Sequence, residues 1–234
     1  MKYLKSLITL FFSVCIAVSL NAQVSLSAGM GMVNGFSTDK SFFGLHGGIE
    51  LPRNNDVTFY GRFGHYFSRP DDVQNTGTVI LQDLTNTTLP YQLQVHSSST
   101  FNYTTVEGGT RYYIGNDYDN GFSAYGGTNF MLLFNKVKLE YEKEDITGTY
   151  EWADDYALSS TDEDRGVIIG LALGIQGGLK YTIPAVGTAY FDVSGQYAIV
   201  AAPNNSIAQQ EMLHNGQFSP LFFVFTVGFR KDLY

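Results

Sequence analysis

His96 and Ser98 stand two residues apart, and a histidine beside a serine hydroxyl is the pair that nucleophilic ester cleavage requires. In an extended chain this spacing puts both on one face. The reaction also needs an acid to orient the imidazole. Glu107, the candidate on the same run, has the opposite parity. The pair is incomplete, and no catalytic residue is assigned. Asp154, Asp155, Asp162, Glu163 and Asp164 offer hard oxygen ligands of the kind calcium and magnesium take. They lack the spacing of an EF-hand loop, and the four histidines show no metal spacing either. The expectation is a solvated acidic loop with no metal and no cofactor. Tyr150, Trp152 and Tyr156 in the same stretch form a candidate contact patch, because Trp and Tyr dominate interface hot spots. They suit packing of the loop onto itself equally well.

The charges that matter most are seven: Glu50, Arg62, Glu107, Arg111, Lys180, Asp192 and Arg230. Each sits in a run of period 2, and each takes the parity opposite to the large apolar residues. His46, Tyr60, Tyr103, Tyr125, Asn129 and Gln176 share that parity. If the apolar parity faces lipid, a Lys or Arg on it would cost roughly 2–4 kcal/mol at the bilayer midplane. None of the seven stands there. An eight-stranded barrel is just wide enough for its own side chains to fill. The seven charges are therefore expected to form a paired network in the lumen rather than an ion path, since an isolated buried charge is strongly disfavoured.

The runs that must position them are eight: Val24 to Val33, Ser41 to Leu51, Val57 to Phe67, Phe101 to Ile114, Phe122 to Phe134, Val167 to Ile183, Thr188 to Val200 and Leu221 to Arg230. The connections Pro52 to Asp56, Gly115 to Gly121 and Pro184 to Gly187 are short. Ser68 to Thr100, Asn135 to Gly166 and Ala201 to Pro220 are long, and only Asn34 to Lys40 breaks the alternation. Short turns at one end and long loops at the other are the pattern of an antiparallel up-and-down transmembrane β-barrel with both termini periplasmic. Thr78 to Leu84 and Lys136 to Ile146 read as strand extensions above the membrane, with ten strands as the alternative count. Phe43, Phe67 and Phe134 fall near the loop end of the apolar faces. Tyr112, Phe122, Tyr181 and Phe229 fall near the turn end, as two interfacial belts would. His65 has the lipid-facing parity near the outer rim.

Composition agrees. Charged residues make up 15% of the 234-residue chain and aromatics also 15%, where an ordinary soluble domain carries about 25% charged residues. Lys2 and Lys5 followed by the uncharged stretch Leu7 to Leu20 read as a signal peptide of residues 1–22, cut after Ala22. The stretch is short for a retained helix, which needs about 20 apolar residues. The barrel domain is then residues 23–234. The only cysteine, Cys15, leaves with the signal, so disulfides and thiol chemistry are excluded from the mature chain. Net charge is −8, and −10 without Lys2 and Lys5, which argues against nucleic acid as a partner.

Three segments carry a family resemblance. They are the export end Leu20-Asn21-Ala22-Gln23, the glycine-rich Gly170-Leu171-Ala172-Leu173-Gly174, and the closing run Phe222-Phe223-Val224-Phe225-Thr226-Val227-Gly228-Phe229. With the eight alternating strands, the chain resembles the small outer-membrane barrels of Bacteroidota, the OmpX/PorT-like group, and is similar to the membrane domain of OmpA. The resemblance implies an exported bacterial outer-membrane protein in contact with outer-membrane lipid and lipopolysaccharide. It also implies recognition by the outer-membrane insertion machinery, for which Phe229 is the outward aromatic, although Lys231-Asp232-Leu233-Tyr234 continues past it. The expected function is non-enzymatic. The barrel presents its loops for surface binding, adhesion or envelope integrity, with a surface or envelope protein as a candidate partner. The alternatives are a lipid hydrolase of the outer-membrane deacylase kind and a narrow channel.

Overall fold

The computed structural model describes residues 24–35, 40–83, 85, 90–141, 149–152, 163–202 and 219–233. The chain forms β1 (Val24–Gly35), β2 (Ser41–Pro52), β3 (Val57–Leu81), β4 (Gln92–Ile114), β5 (Gly121–Tyr141), β6 (Tyr150–Trp152), β7 (Glu163–Ile183), β8 (Gly187–Ala202) and β9 (Leu221–Leu233). Eight long strands run antiparallel in the order β2-β1-β9-β8-β7-β5-β4-β3, and a β2–β3 pairing closes the ring. The architecture is an eight-stranded antiparallel up-and-down β-barrel. The ninth strand, β6, does not enter the ring. Its three residues pair with Val79, Ile80 and Leu81 on β3, beyond the end of β2. No helix among the described residues is long and apolar enough to cross a membrane.

Alternation decides which way each side chain points. Met30 on β1, Leu45 on β2, Phe63 on β3, Ile114 on β4, Phe130 on β5, Ile175 on β7, Ile199 on β8 and Val227 on β9 are all exposed on the outside. The apolar face thus circles the barrel, whereas a soluble monomer rarely exposes apolar patches beyond a few hundred Å². The belt residues Phe43, Phe67, Tyr112, Phe122, Tyr181 and Phe229 are exposed on this same face, and Phe134 is half-buried.

Three strands run beyond their alternating stretches. Thr78 to Leu81 belongs to β3 and Lys136 to Tyr141 to β5, as expected of the extensions there, and the fourth strand starts at Gln92 rather than Phe101. Ser68 to Thr100 is therefore largely a strand hairpin, not a loop. Beyond the apolar belt the outward parity is polar, as at Lys136 and Lys138, so period-2 hydropathy fades while backbone pairing continues and Val79, Leu81 and Val137 stay buried. Two register shifts in the β3–β4 ladder, between Tyr66 and Arg69 and between Asp71 and Asn75, bend this extension.

Glycines make room inside. Gly29 on β1 pairs with Gly228 on β9. A Cβ at Gly29 would lie 2.1 Å from the Val227 carbonyl oxygen and 2.8 Å from the His46 ring; one at Gly228 would lie 2.5 Å from the Tyr190 hydroxyl. Large inward side chains from flanking strands thus lie over backbone that carries no side chain of its own.

Candidate functional site

The inward face is divided into two halves. In the turn half, Glu50, Arg62, Glu107, Arg111, Asp192 and Arg230 form one chain of ion pairs, and all six are buried. Arg62 on β3 meets Glu107 on β4 at 2.8 Å and Asp192 on β8 at 3.0 Å. Arg111 on β4 meets the same Asp192 at 2.8 Å and Glu50 on β2 at 2.7 Å. Arg230 on β9 reaches Glu50 at 3.3 Å and Asp232 at 3.3 Å. The remaining lone pairs of the carboxylates are filled by neutral donors. The Tyr60 hydroxyl donates to Glu107 at 2.6 Å and the Asn129 amide at 2.7 Å. Thr58 and Tyr113 each donate to Glu50 at 2.5 Å. The Arg111 guanidinium also lies over the rings of Tyr60 at 4.4 Å and Tyr125 at 5.0 Å.

Lys180 departs from the expected pairing. It is buried, but its ammonium donates to the carbonyl oxygens of Asp117 at 2.6 Å and Asn120 at 2.7 Å, in the turn between β4 and β5. That turn is more than a connection. Tyr118 at its tip is buried, its carbonyl accepts from Arg230 at 2.6 Å, and its N–H donates to the Asn55 carbonyl of the neighbouring turn at 3.0 Å. The turn folds under the barrel and covers its turn end. Asp232 shares the inward parity of Arg230 but lies beyond the expected run Leu221 to Arg230, which β9 outruns. It is buried and accepts from Ser25 at 2.5 Å. With it, four acids face four bases among the described buried residues.

The loop half of the lumen holds an apolar cluster, with Asn135 and Gln196 buried beside it. Val33, Phe42, Phe101, Met131, Leu133, Ile168, Phe222 and Val224 are buried in one cluster, with Phe42 edge-on to Tyr103 at 4.7 Å. This plug departs from the expected polar lumen. Its signal was present where apolar residues occupy both parities, as in Phe222-Phe223-Val224-Phe225. A charged floor, a folded-in turn and an apolar plug leave the interior filled by side chains.

Above the plug, the extended β3, β4, β5 and β7 form a sheet. Tyr150 turns back onto this sheet: its hydroxyl donates to the Pro90 carbonyl at 2.9 Å, and Thr149 accepts from the Gln82 N–H at 3.0 Å. Trp152 pairs with Val79 through the backbone. The Trp152 side chain and Tyr156 lie outside the described residues, as do Asp154, Asp155 and Asp162. Asp83, in the exposed β3–β4 turn, is held below the ordinary carboxylate range by the hydroxyl and N–H of Thr85.

His96 sits opposite Thr76 on β3, and Ser98 is exposed opposite Glu140 on β5. An acid therefore does neighbour the serine, which parity within β4 could not reveal. Glu140 is engaged by Lys138. His65 is exposed near the outer rim, its Nδ1 3.1 Å from the Thr104 hydroxyl. Among the described residues, no cluster of three His, Cys, Asp or Glu could hold a metal.

No protein-family model matches the chain, and no curated protein does. Solved structures do. A major outer membrane protein from Thermus thermophilus is similar with a TM-score of 0.52 at 11% identity, over 91% of this chain and 99% of that one. Neisserial surface protein A is similar with a TM-score of 0.43 at 13% identity, over 89% and 95%. Ail, the attachment invasion locus protein of Yersinia pestis, gives 0.43 at 15% identity, over 91% and 100%. The likeness to the Thermus thermophilus outer membrane protein is one of fold alone.

Proposed function

We propose that this chain is an exported, integral outer-membrane protein whose barrel is a closed anchor and whose function lies in the sheet and loops above it. The observation that supports this best is the pairing of opposites across one wall: an apolar belt outside, and a filled interior of ion pairs and apolar plug inside. A lipid environment suits the first. The second removes the water path that a channel needs. Val24 on β1 and Leu233 on β9 lie at the turn end, which is then periplasmic, and residues 1–22 act as a removed signal peptide. The partners in this reading are outer-membrane lipid and lipopolysaccharide, the insertion machinery during assembly, and a surface or envelope protein at the loop end. The OmpX/PorT-like resemblance fits the same placement.

The activity is non-enzymatic in this reading. The hydrolase alternative has His96 and Ser98 on one strand and Glu140 beside Ser98, but Glu140 is engaged by Lys138. The test of a closed anchor is conductance of the purified protein in a planar bilayer. The expected trace is flat. Discrete, reproducible channel steps would overturn the reading in favour of the narrow channel.

A further inference from the structure

The outward face of the sheet extension holds a cavity of about 490 Å³ that the closed-anchor reading does not use. It is lined by Ser68, Thr100, Asn102, Lys136, Lys138 and Arg165, with Val167 at its lower edge. The register explains the grouping. Lys138 on β5 stands between Thr100 on β4 and Arg165 on β7, and Lys136 stands between Asn102 and Val167. Alternation then places all three cations on the outside of the sheet, together with the hydroxyl and amide groups. Lys136 and Arg165 are exposed; Asn102 donates to Ser68 at 3.3 Å.

Height settles what such a cavity meets. Lys136 follows the belt residue Phe134 by two positions, and Arg165 precedes the outward, exposed Ile169 by four. At ~3.3 Å per residue along a tilted strand, the cations stand roughly 5–10 Å beyond the apolar belt. That is the level of lipid headgroups, where Lys and Arg side chains face phosphates. This cluster of three cations stands on a chain whose net charge is −8. Glu140 pairs with Lys138, so an acid bounds the cationic band on its upper side. A ligand whose negative charge lies low and whose neutral part reaches upward or sideways fits this order.

We infer that the Lys136–Lys138–Arg165 cavity is a binding site for the phosphate-bearing headgroup of an outer-leaflet glycolipid. It rests on the membrane reading above. The two lysines and the arginine supply charge to the phosphate, and Ser68, Thr100 and Asn102 supply hydrogen bonds to phosphate or sugar oxygens. The acyl chains lie against the belt beneath.

The test places the full barrel in phosphatidylcholine nanodiscs doped with bisphosphorylated lipid A or with the same glycolipid stripped of its phosphates, and reads retained lipid by native mass spectrometry. The wild type is expected to retain the phosphorylated form about tenfold better or more. Lys136→Gln/Lys138→Gln/Arg165→Gln is expected to lose that preference while keeping a heat-dependent gel shift. Glu140→Gln removes the competing carboxylate beside Lys138 and is expected to strengthen retention, which keeps the test sound if the triple variant does not fold. Equal retention of the two lipids by the wild type, an unchanged preference in the triple variant, or weakened retention in Glu140→Gln would each overturn the proposal. So would complete displacement by millimolar inorganic phosphate, which would make the cavity a free-anion site. A wild type with no heat-dependent shift would instead sink the membrane reading.

Discussion

The Nε2 of His46 on β2 and the hydroxyl of Tyr190 on β8 lie 2.8 Å apart, inside a barrel where β1 and β9 stand between their strands. They can meet because Gly29 and Gly228, paired on β1 and β9, leave that stretch of wall without side chains. Gly29→Val should therefore prevent closure at the β1–β9 seam, since its Cβ would collide with the Val227 carbonyl oxygen as well as with His46. Refolding into detergent, followed by mobility on an unboiled gel, should show the unfolded band alone. A normal folded band would mean that the seam tolerates far more displacement than this packing allows.

The ion-pair chain makes a second prediction. Glu107 is the end of the chain at Arg62, and it carries the Tyr60 and Asn129 hydrogen bonds as well. Removing one member of a buried pair leaves an uncompensated charge and costs ~3–5 kcal/mol. Glu107→Leu should lower the urea stability of the barrel in lipid vesicles by about that amount. Arg62→Met combined with Glu107→Leu should recover part of it, because Asp192 keeps Arg111 at 2.8 Å. A double variant that loses the sum of both single losses would contradict pairwise compensation.

Ala185, in the turn between β7 and β8, has φ of 64°. This left-handed conformation costs a residue with a Cβ roughly 1 kcal/mol relative to glycine. The turn is otherwise well held, with Lys231 donating to the Ala185 carbonyl at 2.7 Å and the Val186 carbonyl at 3.0 Å. Ala185→Gly should therefore raise the urea midpoint slightly. A lowered midpoint would show that the alanine methyl contributes more than its backbone strain removes.

Much of this arrangement is legible one strand at a time. The inward parity of Glu50, Arg62, Glu107, Arg111, Lys180, Asp192 and Arg230 can be read because the outward parity is taken by large apolar residues on every strand. What depends on the register between strands is not legible. The neighbours of Ser98 and the grouping of Lys136, Lys138 and Arg165 follow from which residues stand opposite one another on β4, β5 and β7. Lys180 was expected to pair with the other charges, yet it meets turn carbonyls, because nothing in Gly115 to Gly121 announces that Tyr118 turns inward. The extensions of β3 through Thr78 and of β5 through Lys136 are legible, whereas the start of β4 at Gln92 is not, because Gln92 to Thr100 carries no sustained apolar alternation.

The most direct test of the account is gel mobility of the outer-membrane fraction, boiled against unboiled, with and without protease applied to intact cells. A lipid-embedded barrel with its loop end outside should fractionate with the outer membrane and shift mobility on boiling. It should be cut only at the loop end, such as between Tyr141 and Glu163, and never at the turns Pro52 to Asp56 or Pro184 to Gly187. A protein recovered from the soluble periplasm, without a heat-dependent shift, would contradict the membrane reading outright.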